Sequence, residues 1–149
     1  MKFETTAQKK TYDKVATWIR ELWGDKPRAQ SNAPIFTVHA GSAVIQVSVK
    51  PFGEDDSYVA AISWVVRDVD LEPDLLEYLL RENGHVKFGA FGIDSDDDIF
   101  FNHAIVGSTI DKKELETLVV AVAISADEYD DNRPCVFGVL PRALPPGHE

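Results

Sequence analysis

The chain has 149 residues, of which 44% are hydrophobic and 27% are charged. These values predict a single globular domain and exclude intrinsic disorder, because the chain is apolar and long enough to build a core. Fifteen basic against 25 acidic residues give a formal charge of −10. We therefore expect neither nucleic acid nor an anionic membrane as a partner, since both require a positive surface.

The composition also indicates a compartment. A single cysteine leaves no internal disulfide framework and is typical of a reducing environment. The first residues, Met1 to Thr6, contain no apolar signal region, and no stretch approaches the roughly 20 apolar residues of a membrane span. We expect a cytoplasmic protein.

The first element predicted along the chain is an amphipathic helix. Its apolar residues recur at helical spacing: Val15, Trp18, Ile19 and Leu22. Thr5 or Thr6 is the candidate N-cap, and Gly24 followed by Pro27 ends the helix. Residues 28–34 have the composition of a linker.

Three strand-like runs follow, at Ile35–Ala40, Ala43–Lys50 and Ser57–Arg67, and Gly41-Ser42 between the first two is a hairpin signal. The third run is apolar on both faces. One face carries Tyr58, Ala60, Ile62, Trp64 and Val66, and the other carries Val59, Ala61, Ser63 and Val65. A strand of this kind is usually central and covered on both sides.

A second helix is predicted from Leu71-Glu72-Pro73-Asp74, with proline in its first turn and a left-handed cap at Asn83-Gly84. Two more strands follow, at Val86–Asp94 and Ile99–Val106. Gly89 and Gly92 within the first of them indicate a bulge or a close backbone approach.

The last helix begins with a capping box formed by Asp111 and Glu114, and we expect it to reach about Asp131. Its run Leu118–Ile124 is apolar throughout, so the helix must be buried on every side. One face would meet the sheet. The others need a neighbouring helix, the proline-rich tail or a second subunit.

The element order is α-β-β-β-α-β-β-α. Short connections favour antiparallel neighbours, so we predict an α+β fold in which helices pack on an antiparallel five-stranded sheet. Residues 1–131 form the domain in this interpretation. Residues 132–149, which are rich in proline, form a C-terminal tail.

Acidic residues offer the most tempting chemistry. Asp94, Asp96 and Asp98 imitate the start of an EF-hand loop, but Ile99 and Ile105 stand where glycine and a bidentate glutamate are required. We interpret this segment as an acidic turn and predict no metal site. A second acidic cluster, at residues 127–131, either solubilises the end of the last helix or faces a basic partner.

The histidines and the cysteine form no ligand or nucleophile pattern. None of the four histidines has a partner at metal-ligand spacing. His103 shares a strand face with apolar residues and is interpreted as structural, and Cys135 reads as a small hydrophobe. We therefore predict no catalytic residue and no cofactor.

The second half of the chain resembles the YbjN family, whose fold is similar to that of type III secretion chaperones. The resemblance covers roughly residues 70–131. The residues that carry it are Leu79–Gly84, Phe88–Asp94, Asp98-Ile99, Ile105–Gly107, Asp111, Glu114-Leu115 and Ala126–Asp130. It implies the element order given above and an acidic homodimer, without enzymatic activity, that holds a partner polypeptide. It implies no catalytic residue.

Two functions follow from these observations. The favoured one is a non-enzymatic protein- or peptide-binding module, chaperone-like or regulatory, that acts as a homodimer. Its expected partner or dimer surface lies on the doubly apolar strand and the last helix, at Val59, Ala61, Val65, Leu118, Val119, Val120, Val122 and Ile124. The alternative is a small enzyme or ligand-binding protein that uses acids near 94–98 or 127–131.

The apolar part of the tail carries a separate hypothesis. Residues 134–141 are too apolar to remain in solvent and too rich in proline to form a helix. We expect them to dock on the domain or on its dimer mate, covering Val119–Ile124 or the outer face of the sheet.

Overall fold

The computed structural model describes residues 1–129. The expectations for the tail, including Cys135, lie outside these residues. Three helices and six strands follow one another within the described range: α1 (Thr6–Trp23), β1 (Arg28–Ala29), β2 (Ile35–Ala40), β3 (Ala43–Phe52), β4 (Asp56–Val66), α2 (Pro73–Glu82), β5 (Ala90–Ile93), β6 (Ile99–Val106) and α3 (Lys112–Glu128).

The strands form one antiparallel sheet in the order β1-β2-β3-β4-β6-β5. The α+β class is confirmed, but the sheet has six strands rather than five. The additional strand is β1, which pairs Arg28 with Thr37 and Ala29 with Phe36 in a segment that we predicted as a linker. Two residues are too short to show any periodicity, so the sequence carries no signal for this strand.

The helix ends follow the predicted chemistry except after α2: Gly24 is the C-cap of α1 and Pro73 begins α2. The Thr5 side chain accepts from the Gln8 amide at the start of α1, and Asp111 and Glu114 form the complete capping box of α3. The left-handed cap predicted after α2 is wrong. Asn83 is right-handed, with φ −57°, and its side chain is used elsewhere.

Strand β5 begins later than predicted. The residue before it, Gly89, has a backbone conformation that is not extended and lies very close to β6. Gly89 has φ +90°, and a Cβ atom there would lie 2.5 Å from the carbonyl oxygen of Asn102. At Gly92 a Cβ atom would lie 2.4 Å from the Phe100 ring. The expected close backbone approach is confirmed at Gly89, where a side chain would push the chain away from β6, whereas at Gly92 the neighbour is the Phe100 ring rather than backbone.

The core lies between one face of the sheet and the two long helices. Helix α1 packs on β3 and β4, α3 packs on β3, β4 and β6, and the two helices contact each other. Helix α2 lies at the β5 edge, where it buries Leu75 and Leu79. The opposite face of the sheet has no helix over it among the described residues.

Candidate functional site

Most residues of the predicted partner surface are buried within the single chain. Six of its eight side chains are buried in the core: Val59, Ala61, Val65, Leu118, Val119 and Val122. The sequence pattern was misleading because α3 meets the sheet on one side and α1 on another, so its apolar run is largely covered without a second subunit. Val120 and Ile124 remain exposed, at 40% and 60%, and their contact with a partner stays a prediction.

The uncovered face of the sheet, here called the open face, presents the other side of β4. Alternation along β4 places Tyr58, Ala60, Ile62 and Trp64 on this face, where all four are half-buried. The register adds the residues opposite them on the neighbouring strands: Gln46, Ser48, Lys50, Phe100, Asn102, Ala104 and Val106. Alternation along β3 adds Val44. The face is apolar and aromatic at the Trp64 end, whereas Gln46, Ser48 and Asn102 flank Ile62 and Ala60 in its middle; Val44 and Val106 are nearly half exposed.

An acidic turn closes one end of the open face. The Trp64 indole Nε1–H donates to Asp94 Oδ2 at 2.8 Å, and the Asp94 Oδ1 atom accepts from the Asp96 and Asp98 amides. The indole hydrogen bond is the main reason that the pKa of Asp94 lies below its ordinary value. The Arg67 guanidinium stacks over the Trp64 ring at 5.1 Å.

The carboxylates of this turn therefore organise the backbone. Asp98 is buried and accepts from the Asp68 amide at 2.8 Å, with Arg67 3.6 Å away. Asp97 has φ +63°, as the tight turn requires. Among residues 1–129, no group of three histidine, cysteine or acidic side chains is placed to hold a metal ion.

A further acidic turn, not predicted as a candidate site, lies at the opposite end of β4. Glu54, Asp55 and Asp56 form the turn that joins β3 to β4. Asp56 accepts from the amides of Ser57 and Ser108 and from the Ser108 hydroxyl. The Ser57 amide is the main cause of the lowered pKa of Asp56. Lys50 is the basic side chain on the neighbouring strand at this end.

A cavity of about 280 Å³ connects the open face with the end of α3. The β3–β4 ladder stops at Gln46 and Ile62, beyond which the Ser63 hydroxyl donates to the Val44 carbonyl at 2.9 Å. The strands separate there and leave a gap. Its lining combines residues of both sheet faces with one residue of α3: Ser42, Ala43, Val44, Gln46, Ser63, Trp64, Arg67 and Ala126.

A second apolar depression, here called the edge groove, lies between α2 and β5. Its volume is about 320 Å³, and its lining is almost wholly apolar: Leu76, Leu79, Leu80, Asn83, Phe91, Gly92 and Ile93. Leu80 is 73% exposed and Ile93 is 40% exposed. Both side chains belong to one contiguous and almost wholly apolar depression, which makes the edge groove a candidate contact surface.

The remaining titratable groups near these surfaces are packed into the fold. His103 is half-buried, with its ring centroid 5.8 Å from that of Phe88, and burial lowers its pKa. The Tyr129 hydroxyl donates to Glu82 Oε2 at 2.5 Å, and burial together with this bond raises the pKa of Tyr129. Asp127 accepts from the Ser42 hydroxyl. These contacts join the end of α3 to α2 and to the β2–β3 turn.

Sequence reasoning missed the open face as a candidate site. It recognised that β4 is apolar on both sides, but it placed the partner or dimer surface on the face of Val59. The structure has the reverse arrangement, because α1 and α3 lie on that face. The signal that distinguishes the faces is size, since the core side carries the smaller residues Ala61 and Ser63, whereas the open face carries Trp64.

Helices on one face of an antiparallel sheet, with the other face uncovered within the described residues, define a small α+β protein. The family model described as "T3SS (YopN, CesT) and YbjN peptide-binding chaperone 1" matches residues 10–138. The chain belongs to this family. The resemblance inferred from residues 70–131 is thereby confirmed and extended to most of the chain.

Two solved structures show the same fold. One is described as the HopA1–SchA chaperone–effector complex, with a TM-score of 0.61, 10% identity, and coverage of 80% of this chain and 92% of that one. The other is described as the ExsC–ExsE complex, with a TM-score of 0.60, 14% identity, and coverage of 94% and 97%. No curated protein sequence matches the chain significantly. No helix within residues 1–129 is long and apolar enough to cross a membrane.

Proposed function

We propose that this protein is a non-enzymatic chaperone-like module that holds an extended segment of another protein on the open face of its sheet. The observation that carries the proposal is the open face itself, which presents Ile62, Trp64 and Phe100 with no helix over them within the described residues. A family described as peptide-binding supports a polypeptide as the ligand, as do solved relatives described as complexes.

The shape of the open face favours an extended chain over a compact ligand. Side chains of β4 and its neighbours alternate between the two faces, which leaves a shallow apolar row along β4 between the more polar rows of β3 and β6. An extended peptide presents its own alternate side chains to such rows. The apolar surface removed from water supplies the binding free energy, at roughly 25 cal/mol per Å² before ordering costs.

The acidic turn of residues 94–98 does not favour the alternative function of a small enzyme, and of the cluster at 127–131 the described part has Asp127 accepting from the Ser42 hydroxyl. Asp94 accepts hydrogen bonds from Trp64, Asp96 and Asp98, and Asp56 at the other acidic turn accepts from Ser57 and Ser108. These bonds stabilise the charged carboxylates, so the pKa of each is lowered. A general acid needs the opposite shift, towards neutral pH.

We also propose that the protein acts as a homodimer through the edge groove. Leu80 and Ile93 are exposed on adjacent elements, and a two-fold axis beside them would cover both with the same patch of a second copy. The proposed interface lies on α2 and β5. We place this dimer in the cytoplasm, since its chain contains a single cysteine and has no internal disulfide to maintain.

Peptide binding tests the main proposal. The probe is a fluorescein-labelled synthetic peptide of about ten residues, the length of β4 in extended form, with alternating leucine and serine and a lysine at each end. Fluorescence anisotropy is measured with the full-length protein, with Ile62→Glu on the open face, and with Ile124→Glu as the matched control on α3. We expect the control to bind like the wild type.

The Ile62→Glu variant should bind at least about tenfold more weakly, because a bound apolar side chain would desolvate the new carboxylate. Circular dichroism establishes that both variants retain the fold. Equal binding by all three proteins contradicts the use of the open face. Loss of binding in Ile124→Glu alone would move the peptide site to the exposed side of α3.

A further inference from the structure

The segment that follows α3 carries a sequence pattern that matches the open face in length and in charge. Residues 133–142 read Arg-Pro-Cys-Val-Phe-Gly-Val-Leu-Pro-Arg, an apolar stretch with an arginine at each end. Nine residue steps separate Arg133 from Arg142, or about 30 Å in extended form. Strand β4 has ten steps from Asp56 to Val66, about 33 Å by the same rise.

The charges at the two ends of β4 are complementary to those arginines. Beyond Val66 lies the turn of residues 94–98, which has four aspartates, with Arg67 beside Asp98 and over the Trp64 ring. At the other end the turn of residues 54–56 has three acids against Lys50 and Lys14. An occupant with an apolar middle and one basic residue at each end therefore satisfies both ends together.

The end of α3, where the described residues stop, lies beside the Trp64 end of the open face. Ala126 of α3 lines the same cavity as Trp64 and Val44 of the open face, and the next residue, Asp127, bonds Ser42 beside that cavity. Residues 130–132, up to about 10 Å when extended, separate this point from Arg133.

We propose that residues 133–142 occupy the open face of their own chain, running along β4 from the Trp64 end to the Asp56 end, and exclude other peptides from it. The segment is an internal ligand, and a partner with the same pattern must displace it. This inference uses the surface of the proposed function, but the internal contact exists whether or not a partner binds there.

Disulfide trapping tests the contact with the cysteine that the chain already has. Cys135 is the only cysteine, and the proposed path places it beside Val44 and Trp64. We introduce Val44→Cys on the open face, Leu80→Cys in the edge groove and Ile124→Cys on α3; the native residues are all exposed. Mild oxidation is followed by non-reducing electrophoresis and by mass spectrometry of tryptic fragments.

The expected result is a disulfide within one chain in Val44→Cys that forms at least about tenfold faster than in the other two variants. A cysteine on a segment that is bound beside the introduced cysteine has a far higher effective concentration than one on a segment that only diffuses nearby. Preferred trapping at position 80 or 124, equal trapping at all three positions, or a disulfide between two chains in Val44→Cys would overturn the proposal.

A separate peptide-binding measurement on the full-length protein tests whether residues 133–142 exclude other peptides from the open face. Phe137→Asp weakens the apolar stretch, and Ala143→Asp, just beyond Arg142, is the matched control. The lysine-flanked peptide should bind Phe137→Asp about tenfold more tightly than the control, since a site that is nine-tenths occupied binds tenfold more weakly. Equal affinity in both variants overturns exclusion. If the disulfide forms in Val44→Cys but no variant binds the peptide, the internal contact is supported and the proposed function is refuted.

Discussion

The Asn83 side chain bonds both backbone groups of Phe91, as a neighbouring strand would. Its Oδ1 atom accepts from the Phe91 amide at 2.6 Å, and its Nδ2 group donates to the Phe91 carbonyl at 3.3 Å. Phe91 lies on β5, which is an edge strand of the sheet. Edge strands are open to pairing with other chains unless something blocks them, and here one amide side chain satisfies the exposed backbone.

Replacing this side chain should both destabilise the fold and open the edge. We expect Asn83→Ala to lower the free energy of unfolding by about 1–3 kcal/mol, because two part-buried backbone groups lose their partner. Urea denaturation measures this, with exposed Asn32→Ala as control. The variant should also aggregate faster on prolonged incubation, as followed by light scattering. A loss no greater than that of the control would contradict the role of Asn83.

The close approach at Gly89 gives a second prediction. Alanine there combines a φ of +90° with a Cβ atom 2.5 Å from a backbone oxygen, whereas at Gly53 the φ is +67° and nothing lies within 4 Å. Strain alone costs about 1–2 kcal/mol, and the forced shift at Gly89 adds about 1–3 kcal/mol. Thermal or urea unfolding should therefore rank Gly89→Ala below Gly53→Ala. Equal losses would show that β5 adjusts freely.

The sequence predicts most of the architecture because the longer elements carry strong periodic and capping signals. Strand β2 and strand β6 have the predicted bounds, and the capping box at Asp111 is confirmed. The α2 terminus was misjudged because Asn83-Gly84 has the composition of a left-handed cap, whereas Asn83 bonds a strand eight residues away. Such a contact between elements leaves no trace in local sequence.

The candidate sites were harder to predict than the fold, because they too depend on contacts between elements that are distant in sequence. Periodicity shows that β4 is apolar on both faces, but only the packing of α1 and α3 decides which face is covered. The apolar run of α3 was interpreted as an interface, although Leu118 and Val122 are fully buried within the chain. Burial by a distant element and burial by a second subunit require the same residue types, so sequence alone cannot distinguish them.

The bond between Trp64 and Asp94 predicts a pH effect. Because the indole N–H stabilises the carboxylate, Trp64→Phe should move the pKa of Asp94 up towards its ordinary value of about 3.9. A lowered pKa adds stability above the ordinary value and loses it as the pH falls through the folded-state value. Below about pH 4, the wild type should therefore lose stability more steeply than the variant.

A carboxyl NMR titration follows the pKa of Asp94 directly, and chemical denaturation at several pH values follows stability. Trp23→Phe is the matched control, since Trp23 lies at the end of α1 and donates nothing to Asp94. If Asp94 titrates at the same pH in Trp64→Phe and in the wild type, the indole bond is not the main cause of the shift.

The hydrogen bonds of the same turn predict a weak response to calcium. The Asp94 oxygens already accept from Trp64, Asp96 and Asp98, so a cation would have to displace these donors. We expect millimolar calcium to leave the melting temperature almost unchanged. A cation at 100 times its Kd would add roughly 2.7 kcal/mol, which is several degrees for this chain length. A rise of that size would identify the turn as a cation site.

The last prediction concerns the proposed dimer. Because Asn83 blocks the backbone of β5 at Phe91, a second copy would bind the edge groove through side chains rather than by extending the sheet. Leu80 is the most exposed apolar side chain of the groove, at 73%, and lies beside the Glu77–Arg81 ion pair of α2. A charge at Leu80 would be buried and unpaired at the centre of the interface, which binding free energy could not offset.

Leu80→Asp should therefore be a monomer of 16.6 kDa by light scattering at micromolar concentration, whereas the wild type should have twice that mass. Ile124→Asp on α3 is the matched control and should remain dimeric. A dimer that survives Leu80→Asp but dissociates in Ile124→Asp would move the interface to the exposed turn of α3. A wild-type mass of one chain would refute the dimer, because the buried core needs no second copy to cover it.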